Sequence, residues 1–271
     1  MITLSLIQAN LAWEDKTTNL QNLEQKIAAL AGKTQLVLLP EMFSTGFSMR
    51  PDALAETMDG STVQWMKRVA RQYRIILTGS LIIEDGKDHA GKPAYYNRLL
   101  WVLPTGQLGQ YDKRHRFAYG GEDQFYTAGN RRFIASVNGW RVNCLVCYDL
   151  RFPVWARQTP GENPEYDLLI YVANWPERRI HAWKTLLQAR AIENQCYVAA
   201  VNRVGVDGNG IAHSGDSMII NPLGEIVAQL TNVEDSITVT LQKSDLEEIR
   251  QKFPFLRDAD PFLILPDDHQ G

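Results

Sequence analysis

The segment Leu36-Val37-Leu38-Leu39-Pro40-Glu41 decides the fold class of this 271-residue chain. Four consecutive apolar residues are typical of a short strand that is buried on both faces of a sheet. Upstream of this strand, apolar residues recur at helical spacing, at Leu20, Leu23, Ile27 and Leu30. Residues 2–8 precede that helix and predict a first strand. A strand, a helix and a second buried strand in this order indicate a layered α/β protein.

The same alternation of strands and helices continues through the rest of the chain. Apolar runs predict strands at residues 75–77, 81–83, 97–103, 141–147, 168–172 and 197–201. Apolar residues at helical spacing predict helices over residues 65–73 and 180–191, and a short helix around 153–158.

Local motifs mark the ends of several elements. Pro104-Thr105-Gly106-Gln107 and Asn221-Pro222-Leu223-Gly224 lie between apolar runs and predict two hairpins. Ser244-x-x-Glu247 predicts a capping box that opens a late helix. Because no stretch of the chain has the composition of a linker, we expect one domain over residues 1–271. Residues 253–271 would form a tail that packs on its own chain or docks on a partner subunit.

The composition is that of a globular protein, with 45% hydrophobic and 22% charged residues. The 28 basic and 31 acidic side chains give a net charge of −3 and form no long run of one sign, which argues against nucleic acid as a partner. Without a signal-like N-terminus or a long apolar run, we expect a cytoplasmic protein that does not enter a membrane. An odd number of cysteines, three, fits a reducing compartment.

Two ionisable side chains follow predicted strands, where α/β sheets usually place their functional sites. Glu41 follows the run 36–39 among apolar neighbours, which would suit a general base. Lys113 lies in Asp112-Lys113-Arg114-His115-Arg116-Phe117, and a lysine turned inward there could stabilise an oxyanion. Each also has a simpler interpretation. Glu41 could be a surface glutamate, and Lys113 could belong to a solvated basic loop.

Cys147 closes a predicted strand and precedes a turn into a helix. A thiol at such a turn is open to substrate, and nearby backbone N–H groups would lower its pKa and make it a nucleophile. Cys144 and Cys147 form a C-x-x-C pair, but no second Cys or His pair completes a zinc site. Residues three apart on a strand point to opposite faces, which disfavours redox exchange. We therefore assign Cys144 to the core.

The sequence lacks the motifs of nucleotide-binding proteins and of serine hydrolases. The chain has no G-x-G-x-x-G, Walker-type or G-x-S-x-G motif, so we expect no nucleotide cofactor and no serine hydrolysis. No metal site and no other cofactor is expected either. His115 or His213 could partner Cys147, but only through the fold.

Glu41, Lys113 and Cys147 stand in the contexts LLPEMF, YDKRHRF and CLVCYDLRFP, and together they make the chain resemble the nitrilase superfamily of carbon–nitrogen hydrolases. The resemblance covers roughly residues 2–255. It implies an α-β-β-α four-layer sandwich that forms a homodimer. The segments KRHRF, GGEDQFYTAG, ANWPERR and VNRVGVDGNG are most similar to the omega-amidase branch, which hydrolyses the side-chain amides of 2-oxoglutaramate and 2-oxosuccinamate.

The resemblance also implies roles for the matching residues. Cys147 is the nucleophile and Glu41 is its general base. Lys113 and the backbone N–H of Tyr148 hold the oxyanion. Cys196 matches a core strand and is given no role.

Glu122 matches a second glutamate of the family and would orient Lys113, although Asp123 competes for this role. A short dicarboxylate monoamide needs a cation for its distal carboxylate, and Arg151 either supplies it or forms a surface ion pair with Asp149. The remaining substrate contacts are assigned to Phe43, Asn174 and Trp175, with Tyr148 as a further wall.

Two other kinds of function stay open. The chain could be another carbon–nitrogen hydrolase of the superfamily, such as a nitrilase or a carbamoylase. It could also be a binding protein that keeps the fold without turnover.

Overall fold

A computed structural model describes residues 1–88, 90–159 and 164–265. In these ranges the chain forms thirteen strands and seven α-helices. The strands are β1 (Ile2–Gln8), β2 (Leu36–Leu38), β3 (Ile76–Lys87), β4 (Pro93–Val102), β5 (Leu108–Asp112), β6 (Ile134–Val137), β7 (Trp140–Val146), β8 (Leu168–Ala173), β9 (Tyr197–Asn202), β10 (Val204–Val206), β11 (Ala212–Ile220), β12 (Ile226–Thr231) and β13 (Asp235–Leu241). The helices are α1 (Lys16–Ala29), α2 (Pro51–Leu54), α3 (Ser61–Tyr73), α4 (Glu122–Phe125), α5 (Pro153–Ala156), α6 (Ile180–Asn194) and α7 (Lys243–Lys252).

The strands form two mixed sheets. The first has the order β13-β1-β2-β3-β4-β5, in which β1, β2 and β3 are parallel and the other neighbours are antiparallel. The second has the order β10-β11-β9-β8-β7-β6, with β12 paired to β11 and with β7, β8 and β9 parallel. The antiparallel pairs β4–β5 and β11–β12 confirm the two hairpins predicted at residues 104–107 and 221–224.

The segment that follows α1 shows how the first sheet divides the core. Leu36 and Leu38 pack in a cluster that includes strands of the second sheet. Val37 and Leu39 pack in a cluster with α1 and α3. Side chains alternate between the two faces of a strand, so β2 is buried on both sides, as its continuous apolar run predicts.

The second sheet is covered on its outer side by α6. Trp183, Leu187 and Ala191 of this helix are fully buried, and the Trp183 indole N–H donates to the Asp216 carbonyl on β11 at 2.8 Å. The layers are therefore helix, sheet, sheet and helix. This order confirms the predicted four-layer α-β-β-α sandwich.

The strands predicted at 75–77 and 81–83 are one strand, β3, and their separation was wrong. The polar stretch between them is buried because it faces the chain that leaves β2. A Cβ at Gly79 would lie 2.8 Å from the Phe43 ring, and Ser80 Oγ accepts the Met42 N–H at 2.9 Å. Small residues here let the two segments approach closely.

The capping box predicted at Ser244 was also wrong. Helix α7 begins one residue earlier, at Lys243, and Gln242 at its N-cap makes no side-chain cap. The first residue of the helix instead forms an ion pair with another segment, since Lys243 Nζ lies 3.2 Å from the Asp167 carboxylate.

After α7, Leu256 is buried while Leu263 and Leu265 are exposed. Residues 266–271 of the predicted tail lie outside the described residues. Among the helices of the described ranges, none has the length and apolar character needed to cross a membrane.

Candidate active site

Three of the predicted site residues lie just beyond strand ends and meet between the two sheets. Glu41 follows β2 and Lys113 follows β5, both in the first sheet, while Cys147 follows β7 in the second. The side chains of Glu41 and Lys113 are 0% and 1% exposed. This burial excludes the simpler interpretations as a surface glutamate and a solvated lysine.

Lys113 lies between two carboxylates. Its Nζ is 2.8 Å from Glu41 Oε1 and 2.8 Å from Glu122 Oε2. Burial alone would lower the pKa of Lys113, but the charges of Glu122 and Glu41 outweigh it and raise the pKa above its usual value. The lysine therefore stays an ammonium ion at the centre of the cluster.

Glu122 reaches this cluster because the chain turns sharply in front of α4. Gly121 has a φ of 77°, a conformation that favours glycine, and Glu122 Oε2 accepts the Phe117 N–H at 2.5 Å. Burial and the charge of Glu41 raise the pKa of Glu122, against the lowering effect of Lys113. Asp123 is exposed, so the structure brings Glu122 and not Asp123 to the lysine.

The Glu41 carboxylate is held by donors from both sheets. Asn97 on β4 donates to Glu41 Oε1 at 2.8 Å and to Glu122 Oε1 at 3.2 Å. The backbone N–H of Asn174, just after β8, donates to Glu41 Oε2 at 2.9 Å, and the Asn174 side chain donates to the Glu41 carbonyl. Asn97 was not predicted from the sequence, where its only signal is a polar residue at the start of an apolar run.

Cys147 occupies a strained turn at the end of β7. Its φ of 44° is rare for a residue with a side chain, and a 3₁₀ turn over Cys147–Arg151 starts there. Burial raises the pKa of Cys147, as does the Glu41 carboxylate, and Lys113 opposes the shift only in part. The expectation of a lowered pKa was wrong because desolvation outweighs nearby donors. The resting thiol is therefore protonated and needs a base.

A buried carboxylate, Asp149, joins the two loops that carry Lys113 and Cys147. Its oxygens accept the backbone N–H groups of Val146 and His115, each at 3.0 Å. The His115 ring also bonds Asp149 Oδ1, at 2.8 Å, so this histidine supports the loop. From the sequence, Asp149 was predicted only as an ion-pair partner of Arg151.

A cavity of about 220 Å³ opens onto Cys147 and Lys113. Four other predicted contacts line it, namely Tyr148, Arg151, Asn174 and Trp175. Arg151 stacks over the Trp175 ring with its Cζ 4.9 Å from the centroid. The placement of Phe43 in the cavity was wrong, because its ring packs against Trp65 in the core under α1 and α3. Lining residues that the sequence analysis missed include Phe47, Met49, Phe117, Arg178 and Arg179.

The other two cysteines lie in the core. Cys144 and Cys196 are fully buried, and burial raises the pKa of both thiols. The described residues contain no group of three or more His, Cys, Asp and Glu side chains that could hold a metal ion.

His213 lies in the cavity wall, and we expect it to make stability depend on pH. Burial, together with the charge of Arg203, lowers the pKa of His213 to about 4, below its ordinary value of 6.5. Between pH 6.5 and 4, His213 therefore binds a proton in the unfolded chain but not in the folded one. As the pH is lowered through this range, the free energy of unfolding decreases by up to about 3 kcal/mol from this group. His213→Asn keeps a donor for the Ile211 carbonyl and should flatten that slope in urea titrations. An unchanged slope would contradict this assignment.

The chain matches the model of the carbon-nitrogen hydrolase family over residues 3–251 and belongs to that family. Omega-amidase YafV of Escherichia coli K12 is 43% identical over 264 residues, which cover 97% of this chain and 98% of the relative. A 2-oxoglutaramate amidase of Bacillus subtilis is 31% identical, covering 94% and 96%. A crystal structure of a CN-hydrolase superfamily protein from Xanthomonas campestris, with an arsenic adduct in its active site, is 43% identical with a TM-score of 0.93, covering 97% and 98%. These matches confirm the predicted family.

Proposed function

We propose that this protein is an omega-amidase, which hydrolyses the side-chain amide of 2-oxoglutaramate or 2-oxosuccinamate to a 2-oxo dicarboxylate and ammonia. The observation that carries the proposal is that Cys147 and Lys113 line one small cavity while the buried Glu41 carboxylate contacts Lys113 from behind. The likeness to the Escherichia coli omega-amidase and the Bacillus subtilis 2-oxoglutaramate amidase supports the choice of substrate.

The first half of the reaction forms a thioester. Glu41 takes the proton of the Cys147 thiol, and the sulfur attacks the amide carbon. A base is needed because the raised pKa of Cys147 keeps the thiol protonated. The amide oxygen becomes an oxyanion that Lys113 Nζ and the Tyr148 N–H stabilise. The Tyr148 N–H is available because it belongs to the first turn of the 3₁₀ segment, where N–H groups lack partners within the helix.

The second half releases the acid. Glu41 gives its proton to the departing nitrogen, so that the C–N bond breaks and ammonia leaves. The same carboxylate then takes a proton from water, and the oxygen attacks the thioester carbon. The C–S bond breaks, Glu41 returns the proton to the departing sulfur, and the acid and the Cys147 thiol are released. Glu122 keeps Lys113 charged and oriented throughout, since its two oxygens lie 2.8 and 3.0 Å from Nζ.

The far end of the substrate meets a cation. Arg151, stacked on Trp175, offers a guanidinium fork that binds the distal carboxylate. Asp149, the alternative partner of Arg151, is fully buried and bonds the Tyr111 hydroxyl at 2.7 Å in addition to backbone N–H groups. Asn174 and Trp175 shape the wall beside the amide.

A panel of substrates tests the proposal. Purified protein is incubated with 2-oxoglutaramate, 2-oxosuccinamate, L-glutamine, an N-carbamoyl amino acid and a simple nitrile, and ammonia is measured. We expect the two 2-oxo amides to give the highest kcat/KM. Turnover of the nitrile or the carbamoyl compound alone would assign another carbon–nitrogen hydrolase activity. No ammonia from any compound would favour a non-catalytic binding protein.

We further propose that the enzyme acts in the cytoplasm as a homodimer and that part of the tail over residues 253–271 contacts the second copy. Exposed apolar side chains in the tail, at Phe255, Leu263 and Leu265, support this. Sedimentation of the full chain distinguishes one copy from two.

A further inference from the structure

Arg179 lies in the cavity wall, and the reaction described above does not use it. It belongs to a 3₁₀ turn over Glu177–Arg179 that follows β8. The Trp175 indole N–H donates to the Arg179 carbonyl at 2.9 Å, which fixes its backbone. The Arg179 Cζ lies 5.0 Å from the centroid of the Phe117 ring, and the residue is half-buried. An arginine held on an aromatic face in this way has few alternative positions.

The charges around the cavity do not cancel. Glu41 and Glu122 more than balance Lys113, but three arginines, Arg151, Arg178 and Arg179, also line the cavity. Arg151 and Arg179 have no carboxylate partner among the residues that the structure describes.

One acidic residue, Asp207, is among the described residues that line this cavity. Its Oδ1 accepts the backbone N–H groups of Asn209 and Ile211, both at 2.9 Å, so it is engaged with its own loop. Burial and the charges of Arg178 and Arg151 lower the pKa of Arg179, as expected where cations crowd together. The cavity therefore presents an excess of positive charge to whatever enters it.

We infer that Arg179 is a specificity-determining residue which, together with Arg151, admits monoamides with an anionic 2-oxo acid end and rejects those with a 2-ammonium group. This inference rests on the proposed function and adds the reason for its selectivity. A carboxylate and a neutral 2-oxo oxygen both accept hydrogen bonds from guanidinium groups. The α-ammonium group of L-glutamine or L-asparagine, in contrast, would lie beside two unneutralised cations, and like charges brought together disfavour binding.

The test compares 2-oxoglutaramate with L-glutamine in the wild type and in Arg179→Gln. We expect the substitution to lower kcat/KM for 2-oxoglutaramate at least tenfold, mainly through KM, because it removes a binding contact and no reacting group. The value for L-glutamine should stay constant or rise, so the ratio of the two falls at least tenfold. Arg179→Lys keeps the charge and should retain more of the ratio. Arg71→Gln, on an exposed part of α3, removes an equal charge and should change neither value.

A structural role for Arg179 gives a different result. If Arg179→Gln lowers kcat/KM equally for both substrates, or leaves the ratio of the two kcat/KM values unchanged, the inference is overturned.

A second readout does not depend on turnover. Alkylation of Cys147 by iodoacetamide is followed by mass spectrometry in the presence of 2-oxoglutarate or L-glutamate. We expect 2-oxoglutarate to protect the wild type at lower concentration than L-glutamate, and Arg179→Gln to reduce that preference. Equal protection in the wild type would overturn the inference. If the wild type shows the preference and Arg179→Gln loses it, but 2-oxoglutaramate is not hydrolysed, the proposed function fails while the selectivity assigned to Arg179 stands.

Discussion

Replacing Cys147 with alanine should reduce ammonia release from 2-oxoglutaramate to the background rate, a loss of about 10⁶-fold by comparison with other covalent hydrolases. Without the sulfur no thioester can form, and the remaining groups at the site can only activate water. The measurement is kcat with enough enzyme to detect residual turnover. Unchanged circular dichroism would show that the variant is folded.

Cys144→Ser is the matched control. The Cys144 sulfur is fully buried, 4.0 Å from the Val142 carbonyl, and serine removes the thiol while it stays close to cysteine in size. We expect this variant to keep most of its turnover. The opposite pattern, with Cys144→Ser inactive and Cys147→Ala active, would contradict the mechanism and favour thiol chemistry through the C-x-x-C pair.

Replacing Lys113 with methionine should damage both catalysis and folding. It removes an oxyanion donor, which typically costs about 10²–10³ in kcat. It also leaves Glu41 and Glu122 buried together without a cation, and breaking a buried ion pair costs about 3–5 kcal/mol of stability. The raised pKa of Glu122 should rise further in the variant. The stability deficit should therefore shrink as the pH falls and the folded state takes up a proton.

The double variant Lys113→Met, Glu122→Gln separates the two effects. Removing one of the unpaired carboxylates should restore much of the stability in urea titrations, while kcat stays low because the oxyanion donor is still missing. Recovery of activity together with stability would mean that Lys113 serves only to neutralise charge.

The positions of Glu41, Lys113 and Cys147 at strand ends could be predicted from the local sequence. The apolar run before Glu41 and the strands before Lys113 and Cys147 identify strand ends from the sequence alone, and the ends of strands place side chains at one edge of a sheet. Glu122 could be proposed only through resemblance to a family, because nothing in its own segment distinguishes it from Asp123. The structure separates them by burial.

Other features depend on how distant segments pack. Phe43 follows the same strand as Glu41 but turns to the opposite side, into the core under α1 and α3, where the absence of a side chain at Gly79 makes room for its ring. The pKa of Cys147 depends on desolvation by both sheets, which a local pattern does not contain. The position of Arg179 could not be predicted from its own segment, because the ring that holds its guanidinium belongs to Phe117, about sixty positions earlier.

The groups of the site are divided between the two sheets: Glu41 and Lys113 follow strands of one, and Cys147 and Asn174 follow strands of the other. Neither half of the chain thus carries all the groups that the reaction needs, and recovery of activity after dilution from denaturant reports the docking of the two sheets. Fragments cut in the segment before β6 should regain turnover only when they are mixed and associate.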